Sequence, residues 1–585
     1  MFRLRNICFI LCGIAVLTFL VYLPGLHAPF ILDDYASIVH QIKLHYLSGL
    51  GDLLSLPELA TRPLLNISFW INYKIHGLSV FGYHLTNLVL HILNSFLLFS
   101  VLTIFFKNRI YSVSILTLCF AIHPVHSEAV LYITQRSELL LFFFILLSFR
   151  LYLVYRTTQN KFMLICALLT AFCSHLSKES SLILPFLIYS YDYFYLSEKR
   201  IQPRHLLFLI VSLTVPALFL FVSVNPHEYS WGSIGVSGWA FMWTQFKVIL
   251  FYIGLMLWPT RLNLEYDFPL SQSFLDVSTL VAFGCIIAIL LAAWCYRKKE
   301  RLFSFAVCWF FLTLAYRNSI IPNKDFVVDY ALYLPSVGFF MVMGLAFSHL
   351  EKKKKIFTNV SVGGFALWLC VLTSQRAALY ADGIKIWKDT LAKSPHKTMA
   401  RNNLAYMYEL KGMSNEAKEE FEYLVKHHPN NVTAKTNLAR YYLKEGKTQE
   451  ALKLYKDVLA LTPKDSKAFQ MLAYFYLKNN FLEQAWQVCQ KWAQVVPDDE
   501  EVYFIEGMIL SRQFNTKKAI HAFQKALTLN QKSVPIRYYL SKLLVKEKRF
   551  NEALKIIEEA KKVASKDQKI LALYEKIKMQ SNPQY

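Results

Sequence analysis

Long runs of apolar residues recur through roughly the first 375 of the 585 residues. Such runs would have no water-free place in a soluble domain, so they indicate transmembrane helices. Beyond about residue 375 the chain becomes charged and rich in lysine. The sequence therefore predicts an all-α protein, with a polytopic membrane domain followed by a water-exposed domain. Eleven candidate spans lie at about residues 7–24, 84–106, 110–124, 137–155, 161–177, 180–196, 204–224, 276–296, 302–321, 331–349 and 356–375.

Clusters of lysine and arginine mark the cytoplasmic ends of membrane helices. Here they fall at alternate ends of the candidate spans, so the N-terminus is predicted to be cytoplasmic and uncleaved. An odd number of crossings then places the C-terminal domain on the outer side. Residues 237–258 are also apolar, but a crossing there would move the basic cluster after residue 296 outside, so a re-entrant or interfacial helix is expected. The clusters are Arg3/Arg5, Lys107/Arg109, Arg156/Lys161, Lys199/Arg200/Arg204, Arg297/Lys298/Lys299/Arg301 and Lys352–Lys355.

The net charge and the cysteine spacing limit the expected classes of partner and argue against disulfides and zinc sites. The net charge is +23, but no aromatic-basic motif typical of nucleic-acid readers accompanies it. Phospholipid headgroups and lipid-linked phosphates are therefore the expected anionic partners, and nucleic acid is not. The ten cysteines show neither disulfide nor zinc spacing, which indicates small packing residues.

The charged C-terminal region repeats with a period of 34 residues. Small residues where two helices cross, aromatic residues in the groove and a terminating proline are typical of tetratricopeptide helix-turn-helix units. We predict five repeats from about 398 to 567, in an α-solenoid domain of 398–585 that residues 377–397 connect to the membrane domain of 1–376. The concave face would bind a protein, although a spacer or scaffold without a client is the alternative. The repeating positions are Pro395, Pro429, Pro463 and Pro497, and Ala417, Ala451, Ala485, Ala519 and Ala553.

Charged residues at the edge of a membrane are costly, so they are candidates for function. Asp33 and Asp34 follow the first span. One carboxylate of such a pair could take a proton from an attacking hydroxyl while its neighbour orients it or tunes its pKa. A solvated loop or a helix cap is the alternative interpretation.

More polar residues cluster at the predicted outer ends. Two arginines, a lysine and histidines converging there would suit a phosphate or diphosphate. His123 and His126 could instead bind a metal, but Pro124 intervenes and a third ligand is lacking. Each histidine taken singly is more often structural. The cluster comprises Arg62, His84, Asn87, His91, His123, His126, Glu128, Arg136, Glu138, Lys178, Glu179 and Asp329.

These residues stand in an ordered set of motifs. The set resembles the transmembrane and tetratricopeptide repeat-containing O-mannosyltransferases and their bacterial homologues, over nearly the whole chain. The motifs are Asp33-Asp34, Arg62-Pro63-Leu64, Tyr83-His84-Leu85-Thr86-Asn87, His123-Pro124-Val125-His126-Ser127-Glu128, Gln135-Arg136-Ser137-Glu138, Lys178-Glu179 and Leu332-Tyr333-Leu334-Pro335.

The resemblance implies a membrane glycosyltransferase of the GT-C fold class. It would transfer mannose or another hexose, with inversion, from a polyprenyl-phosphate donor to Ser or Thr hydroxyls on the extracytoplasmic side. It implies no tightly bound cofactor and leaves a divalent metal open. Carried over to this chain, the catalytic carboxylates are Asp33 and Asp34, the donor-phosphate residues are Arg62, His123, His126, Arg136 and Lys178, and the supporting residues are His84, Asn87, Glu128, Glu138, Glu179 and Asp329.

The chain departs from the family in two ways. Asp329-Tyr330-Ala331 lacks the arginine that bacterial members carry ahead of Tyr-Leu-Pro, so Lys324 or Arg317 would have to replace it. Five repeats are also fewer than animal members usually have. A compact, lysine-rich chain suits a bacterial inner membrane with periplasmic repeats, and an endoplasmic reticulum membrane with luminal repeats is the alternative.

Two other functions stay open. A non-catalytic, membrane-anchored scaffold is supported by the missing arginine near residue 330. A transporter of lipid-linked sugars is disfavoured, since neither matched halves nor interrupted helix pairs are visible.

Overall fold

A computed structural model of the chain describes residues 2–41, 49, 62–107, 109–196, 200–222, 236–319, 322–323, 325–353, 355–531, 533–564 and 567–581. Every regular element in these ranges is helical, which confirms the all-α prediction. Contacts divide the chain into two units, Met1–Leu404 and Ala405–Tyr585. Lys199, Lys324 and Lys354, which belong to the sequence features above, lie outside the described residues.

The helices of the first unit coincide with the apolar segments. Each of the eleven predicted segments overlaps one of its α-helices, and further helices lie in the connections. The helices are α1 (Phe2–Tyr22), α2 (Pro63–His76), α3 (Val80–Phe105), α4 (Ile110–Ala121), α5 (Ser127–Leu131), α6 (Arg136–Thr158), α7 (Lys161–His175), α8 (Leu184–Tyr195), α9 (Pro203–Val222), α10 (Gly238–Leu257), α11 (Val277–Tyr296), α12 (Arg301–Ala315), α13 (Ser336–Lys353), α14 (Lys355–Tyr380) and α15 (Gly383–Lys393).

Six helical segments in the described ranges are long and apolar enough to cross a membrane, and a seventh if α4 and residues 124–131, bent by 46°, form one span. The protein is therefore an integral membrane protein. Other apolar helices, such as α7 and α12, have only 15 residues each. The eleven crossings, and the orientation that follows from their number, stay predictions. The six are Arg5–Gly25, Val80–Phe105, Ile133–Thr158, Gly238–Leu257, Val277–Tyr296 and Val360–Tyr380.

Helix α10 is the segment predicted to be re-entrant or interfacial. Its 20 residues would also suffice to cross. It packs on α11, where the rings of Phe246 and Phe283 lie 5.2 Å apart. It also contacts the connection between α12 and α13, since the Tyr252 hydroxyl bonds the backbone of Val328 at 3.1 Å. The re-entrant or interfacial placement of α10 stays a prediction.

Buried polar side chains join the helices of the membrane unit. His91 in α3 donates from Nε2 to the Ala121 carbonyl at 2.8 Å and accepts from the Tyr333 hydroxyl at Nδ1, 2.6 Å away. Asn94, one turn later, donates to the Leu139 carbonyl and to the same hydroxyl. Water cannot satisfy such groups in a bilayer, so these bonds fix α3 against its neighbours. Close helix approach adds to them, since a Cβ at Gly338 would lie 2.4 Å from the Ala306 carbonyl oxygen.

Asp192 joins three helices of the same unit near the end of α6 and the start of α9. Its carboxylate is fully buried in α8. One of its oxygens, Oδ2, accepts from four side chains of α6 and α9: Tyr152 at 2.6 Å, Arg156 at 2.5 Å, Arg204 at 3.2 Å and His205 at 2.9 Å. Removing this carboxylate would leave two guanidinium groups without their buried anion.

We expect Asp192→Ala to destabilise the membrane domain by about 3–5 kcal/mol, because it breaks a buried charge pair from one side. Thermal unfolding of the purified protein in detergent measures this. The matched control is Asp267→Ala, since Asp267 is exposed and such surface changes usually alter stability by less than about 0.5 kcal/mol. Equal unfolding temperatures for the two variants would contradict the assigned role.

The second unit is a solenoid of paired helices, beginning inside α16. The alanines of the 34-residue period, at positions 417, 451, 485, 519 and 553, are all fully buried where the helices cross. The helices are α16 (Thr398–Leu410), α17 (Ser414–His427), α18 (Val432–Lys444), α19 (Thr448–Leu461), α20 (Ser466–Lys478), α21 (Leu482–Val495), α22 (Glu500–Arg512), α23 (Thr516–Leu529), α24 (Val534–Lys546), α25 (Phe550–Val563) and α26 (Gln568–Ser581).

Candidate active site

The two aspartates of the first loop occupy different environments. The Asp34 carboxylate is fully buried and accepts from the backbone N–H of Ile31 at 3.1 Å and of Thr134 at 2.8 Å. Burial raises the pKa of Asp34 to about 7, although these two hydrogen bonds oppose the shift. Asp33 is exposed, and its backbone N–H donates to the Tyr132 hydroxyl at 3.0 Å. Asp34 therefore ties the loop to the segment before α6, and Asp33 presents its carboxylate outward.

The backbone immediately before the pair is strained. Leu32 has a φ of 48°, which lies in the left-handed region of backbone conformation. Residues other than glycine, asparagine and aspartate rarely adopt this region. Such a conformation costs on the order of 1 kcal/mol and persists only where the surroundings fix it. The hydrogen bonds from Ile31 and Thr134 to Asp34 fix the backbone around Leu32. Strained backbone of this kind clusters at functional sites, which supports a role for this loop.

Arg136, at the start of α6, is buried and engaged on all three nitrogens. It donates to the Asn87 side chain at 2.7 Å, to the Tyr83 carbonyl at 3.0 Å and to the carbonyl and hydroxyl of Ser68 at 3.2 and 3.1 Å. Asn87 in turn donates to the carbonyls of Val130 and Ile133. This geometry gives Arg136 and Asn87 a positioning role between α2, α3 and α6. Contact of Arg136 with a donor phosphate stays a prediction that would require these bonds to break.

A cluster of charges lies half a turn further along α6. Glu138 accepts from Lys178 Nζ at 2.7 Å. The Lys178 ammonium lies 5.3 Å from the centre of the Tyr330 ring, and the Arg317 guanidinium lies 5.4 Å from it. Arg317 also donates to the Asp325 carbonyl at 2.9 Å. The structure thus brings two cations to one aromatic ring, and we name Glu138, Lys178, Arg317 and Tyr330 the cation cluster.

Arg62 and Glu179 form a neighbouring bidentate pair, with N–O distances of 2.8 and 3.2 Å. Its side chains are 35% and 43% exposed, so the pair remains open to solvent. Burial works to raise the pKa of Glu179, but Arg62 and Lys178 outweigh it and hold that pKa below its ordinary value. Since Glu179 adjoins Lys178 in sequence, the pair extends the cation cluster.

The histidines lie deeper and are packed rather than open. His123 donates from Nε2 to the Met256 carbonyl at 3.1 Å and accepts the Val125 N–H at Nδ1. His84 donates to the Ala28 carbonyl at 2.9 Å. His126 is fully buried among rings, 4.6 Å from Phe120 and 4.9 Å from Tyr333, and neither of its nitrogens has a hydrogen-bond partner among the described residues. Across the described residues there is no group of three possible metal ligands. Phosphate or metal binding by His123 and His126 stays a prediction.

Two buried carboxylates hold the connection before α13. Glu128 accepts the backbone N–H of Tyr330 at 3.0 Å, and Asp329 accepts the Tyr266 hydroxyl at 2.5 Å. Burial raises the pKa of Asp329 to about 7, while Arg376 and Tyr266 act to lower it. Glu128 and Asp329 therefore position Tyr330, and their role in supporting the reaction stays a prediction.

Arg317, Tyr330, Tyr132 and Tyr266 complete the arrangement. Arg317 was one of two candidates for the missing arginine, and the structure brings it to Tyr330. The tyrosines were not singled out from the sequence, because a hydroxyl that bonds a distant loop leaves no local pattern. Tyr330 had one available signal, since it occupies the site of the arginine in the bacterial motif.

The chain is similar to known proteins both in its repeats and over about 70% of its length. Models described as tetratricopeptide repeat match residues 414–466, 442–503 and 510–577. Protein O-mannosyl-transferase F38B6.6 of Caenorhabditis elegans is 26% identical over 442 residues, which cover 71% of this chain and 62% of that protein. Protein O-mannosyl-transferase TMTC3 of Mus musculus is 26% identical over 461 residues, covering 69% and 49%. This chain is a homologue of the animal proteins named O-mannosyl-transferases. It spans about half to three-fifths of the length of these relatives.

Two of the solved structures that the chain is similar to each cover about a third of it. TTC0263, a thermophilic tetratricopeptide protein of Thermus thermophilus, is 25% identical over 31% of this chain and all of its own, with a TM-score of 0.27. Pseudomonas aeruginosa pilF is 20% identical over 31% of this chain and 82% of its own, with a TM-score of 0.29. The resemblance of the motifs to the O-mannosyltransferases is confirmed, and a bacterial origin stays a prediction.

The burial of Asp34 predicts a pH dependence of stability. Between about pH 4 and 7 the folded protein holds a proton on Asp34 that the unfolded chain releases, so this group's contribution to stability falls as the pH rises. Asp34→Asn removes the titration. We expect the stability of the variant, relative to the unsubstituted protein, to improve as the pH rises from 5 to 8.

Thermal unfolding in detergent across this pH range measures the difference. Asp33→Asn is the control and should show a nearly constant offset, because Asp33 is exposed. A relative stability of Asp34→Asn that declines with pH would contradict a protonated, buried Asp34.

Proposed function

We propose that the membrane domain transfers mannose or another hexose from a polyprenyl-phosphate donor to Ser or Thr hydroxyls of proteins. The observation that carries the proposal is the exposed Asp33. Asp34 joins its loop to the segment before α6, and α6 contributes Glu138 to the cation cluster. The names of the homologous proteins support the reaction class. No tightly bound cofactor is proposed, and dependence on a divalent metal stays open.

Asp33 is assigned as the general base. Its carboxylate is exposed beside a buried partner that already accepts two backbone hydrogen bonds. A group that must take a proton from a protein hydroxyl has to be reachable, and Asp33 is the reachable member of the pair. Asp34 is then a positioning residue.

The donor phosphate is assigned to the cation cluster and to Arg62. Lys178 and Arg317 flank Tyr330, and Arg62 provides a partly exposed guanidinium that already adopts bidentate geometry toward a carboxylate. A phosphate would compete with Glu138 and Glu179 for these cations, and bidentate guanidinium bonds are strong toward either anion. Arg317 replaces the arginine that the bacterial motif has before Tyr-Leu-Pro.

The reaction is a single displacement. The Ser or Thr oxygen attacks the anomeric carbon as its proton passes to the Asp33 carboxylate, and the bond from that carbon to the phosphate oxygen breaks. The electron pair of that bond leaves on the lipid phosphate, where Lys178, Arg317 and Arg62 stabilise the developing charge. One displacement inverts the anomeric configuration.

The repeats are proposed to recruit the protein acceptor, on the outer side of the membrane. The expected setting is a bacterial inner membrane with periplasmic repeats, with an endoplasmic reticulum membrane and luminal repeats as the alternative. A Glu547→Cys variant tests the orientation, because Glu547 is exposed. An impermeant thiol reagent should label position 547 in intact spheroplasts, and labelling only after lysis would contradict the outer placement.

The direct test is sugar transfer by the full-length protein in liposomes, from polyprenyl-phosphate mannose and other polyprenyl-phosphate hexoses to a Ser/Thr-rich peptide. We expect Asp33→Asn to reduce kcat by at least about 100-fold, as loss of a general base typically does. The control is Asp267→Asn, which removes an exposed carboxylate outside the site and should retain full activity. Full activity in Asp33→Asn would overturn the assignment of the base, and no transfer by the unsubstituted protein from any of these donors would favour the scaffold.

The donor assignment has its own test. Arg317→Ala should lower kcat/KM for the lipid donor by about 10- to 1000-fold while leaving the KM for the peptide nearly unchanged, because the guanidinium would act on the leaving phosphate. Arg297→Ala, at a partly exposed position in the basic segment after α11, is the matched control. A change confined to the peptide KM would contradict the assignment.

A further inference from the structure

The positive charge of the repeat domain is concentrated at its C-terminal end. Residues 511–585 carry 17 lysines and arginines against 6 aspartates and glutamates, whereas residues 381–510 carry 18 against 17. The last repeats therefore present a strongly basic surface, and the earlier repeats are nearly neutral. A basic surface of this kind attracts and orients acidic partners.

A groove opens within this basic end. Its volume is about 870 Å³, and α20, α22, α23, α24 and α26 contribute its walls. We name it the C-terminal groove. Helices α20, α22, α24 and α26 are the first helices of successive pairs, which line the concave side of a tetratricopeptide solenoid. The groove therefore lies where such arrays take up extended chains.

The floor of the groove is aromatic and aliphatic. Tyr539 is 39% exposed, and its ring stacks against that of Phe523 at 6.2 Å. Phe523 reaches the floor because Gly507 has no side chain: a Cβ there would meet the Phe523 ring at 2.8 Å. Met508 and Leu573, both partly exposed, add apolar surface beside Tyr539. This floor offers contact area to the side chains of a polypeptide.

The rim of the groove is cationic. Its charged lining residues are Arg512, Lys542, Lys546, Lys569 and Lys576, all exposed, and no carboxylate of the described part of the chain lines the groove. Among the described residues none of these five is in an ion pair with an aspartate or glutamate. Lysines elsewhere in the array, such as Lys418 and Lys435, do form such pairs. Arg512 also donates to the Leu477 carbonyl, and the Lys546 ammonium lies 5.4 Å from the centre of the Phe514 ring. Among the described residues no carboxylate neutralises the charge of the rim, so that charge can attract an acidic ligand.

We propose that the C-terminal groove binds an extended acidic polypeptide segment that carries apolar side chains. Glutamate or aspartate side chains would meet the cations of the rim, and alternate apolar side chains would contact Tyr539, Met508 and Leu573. The apolar floor favours a polypeptide over a lipid headgroup, which would leave that floor uncovered. The inference does not depend on sugar transfer by the membrane domain.

The test uses the full-length protein in phosphatidylcholine nanodiscs, which carry no net anionic lipid. A fluorescent ten-residue peptide with alternating glutamate and apolar residues is titrated by anisotropy, beside the same peptide with glutamine for glutamate. The acidic peptide should bind at least about tenfold more tightly, and its affinity should fall as salt rises. Equal affinity for the two peptides, or no binding of either, would overturn the proposal.

Paired charge reversals locate the site. Lys542→Glu/Lys546→Glu should weaken binding of the acidic peptide by at least about tenfold. The matched control is Lys517→Glu/Lys518→Glu, which makes the same change in net charge at exposed positions of α23 outside the groove and should weaken binding by less than about twofold. Equal weakening would indicate general attraction to a basic surface and would overturn the groove as the site. So would tight, Lys542-dependent binding of an oligouridylate or of phosphatidylserine vesicles without binding of the peptide.

Discussion

The candidate site depends on one buried carboxylate. Asp34 accepts hydrogen bonds from Ile31 and Thr134, and so joins the loop after the first helix to the segment that begins α6. These two backbone N–H groups would otherwise be buried without partners, which is costly where water is absent. The same bonds hold Leu32 in its left-handed conformation and turn the neighbouring Asp33 outward. The buried Asp34 carboxylate therefore fixes the position of the exposed Asp33 carboxylate.

The segment that is hydrogen-bonded to Asp34 leads into α6, and α6 carries several residues of the site. Arg136 packs α6 against α2 and α3, and Glu138, half a turn later, holds Lys178 against Tyr330. Arg317 approaches the same ring, and Glu128 fixes the backbone of Tyr330. The polar residues of the motifs thus form two groups. Residues of the first group are buried and join the helices, and residues of the second group are exposed and could contact a substrate. Arg136, Asn87 and His84 belong to the first group, whereas Asp33 and Arg62 belong to the second.

The sequence was sufficient for the fold and only partly sufficient for the site. Apolar runs and a 34-residue period depend on composition and spacing alone, and both predictions are confirmed by the helices. The different environments of Asp33 and Asp34 could not be predicted, because they follow from the backbone angle at Leu32 and from a contact 100 residues away. The choice between Lys324 and Arg317 was likewise open, since it depends on how α12 ends. The hydrogen bonds of Asp192 could not be predicted from the sequence, because its four partners lie on two other helices.

The number of membrane crossings is undecided for a physical reason. Several apolar helices have lengths that suit either a short span or a buried packing helix.

The central claim is that Asp33 makes this membrane protein a transferase of lipid-linked sugar to proteins. The most direct measurement compares O-linked hexose on secreted and membrane proteins from cells that express either the unsubstituted chain or Asp33→Asn at equal levels in a deletion background. We predict that a defined set of Ser/Thr-linked hexoses present with the unsubstituted chain is lost with Asp33→Asn. Identical glycopeptides in the two strains would contradict the claim.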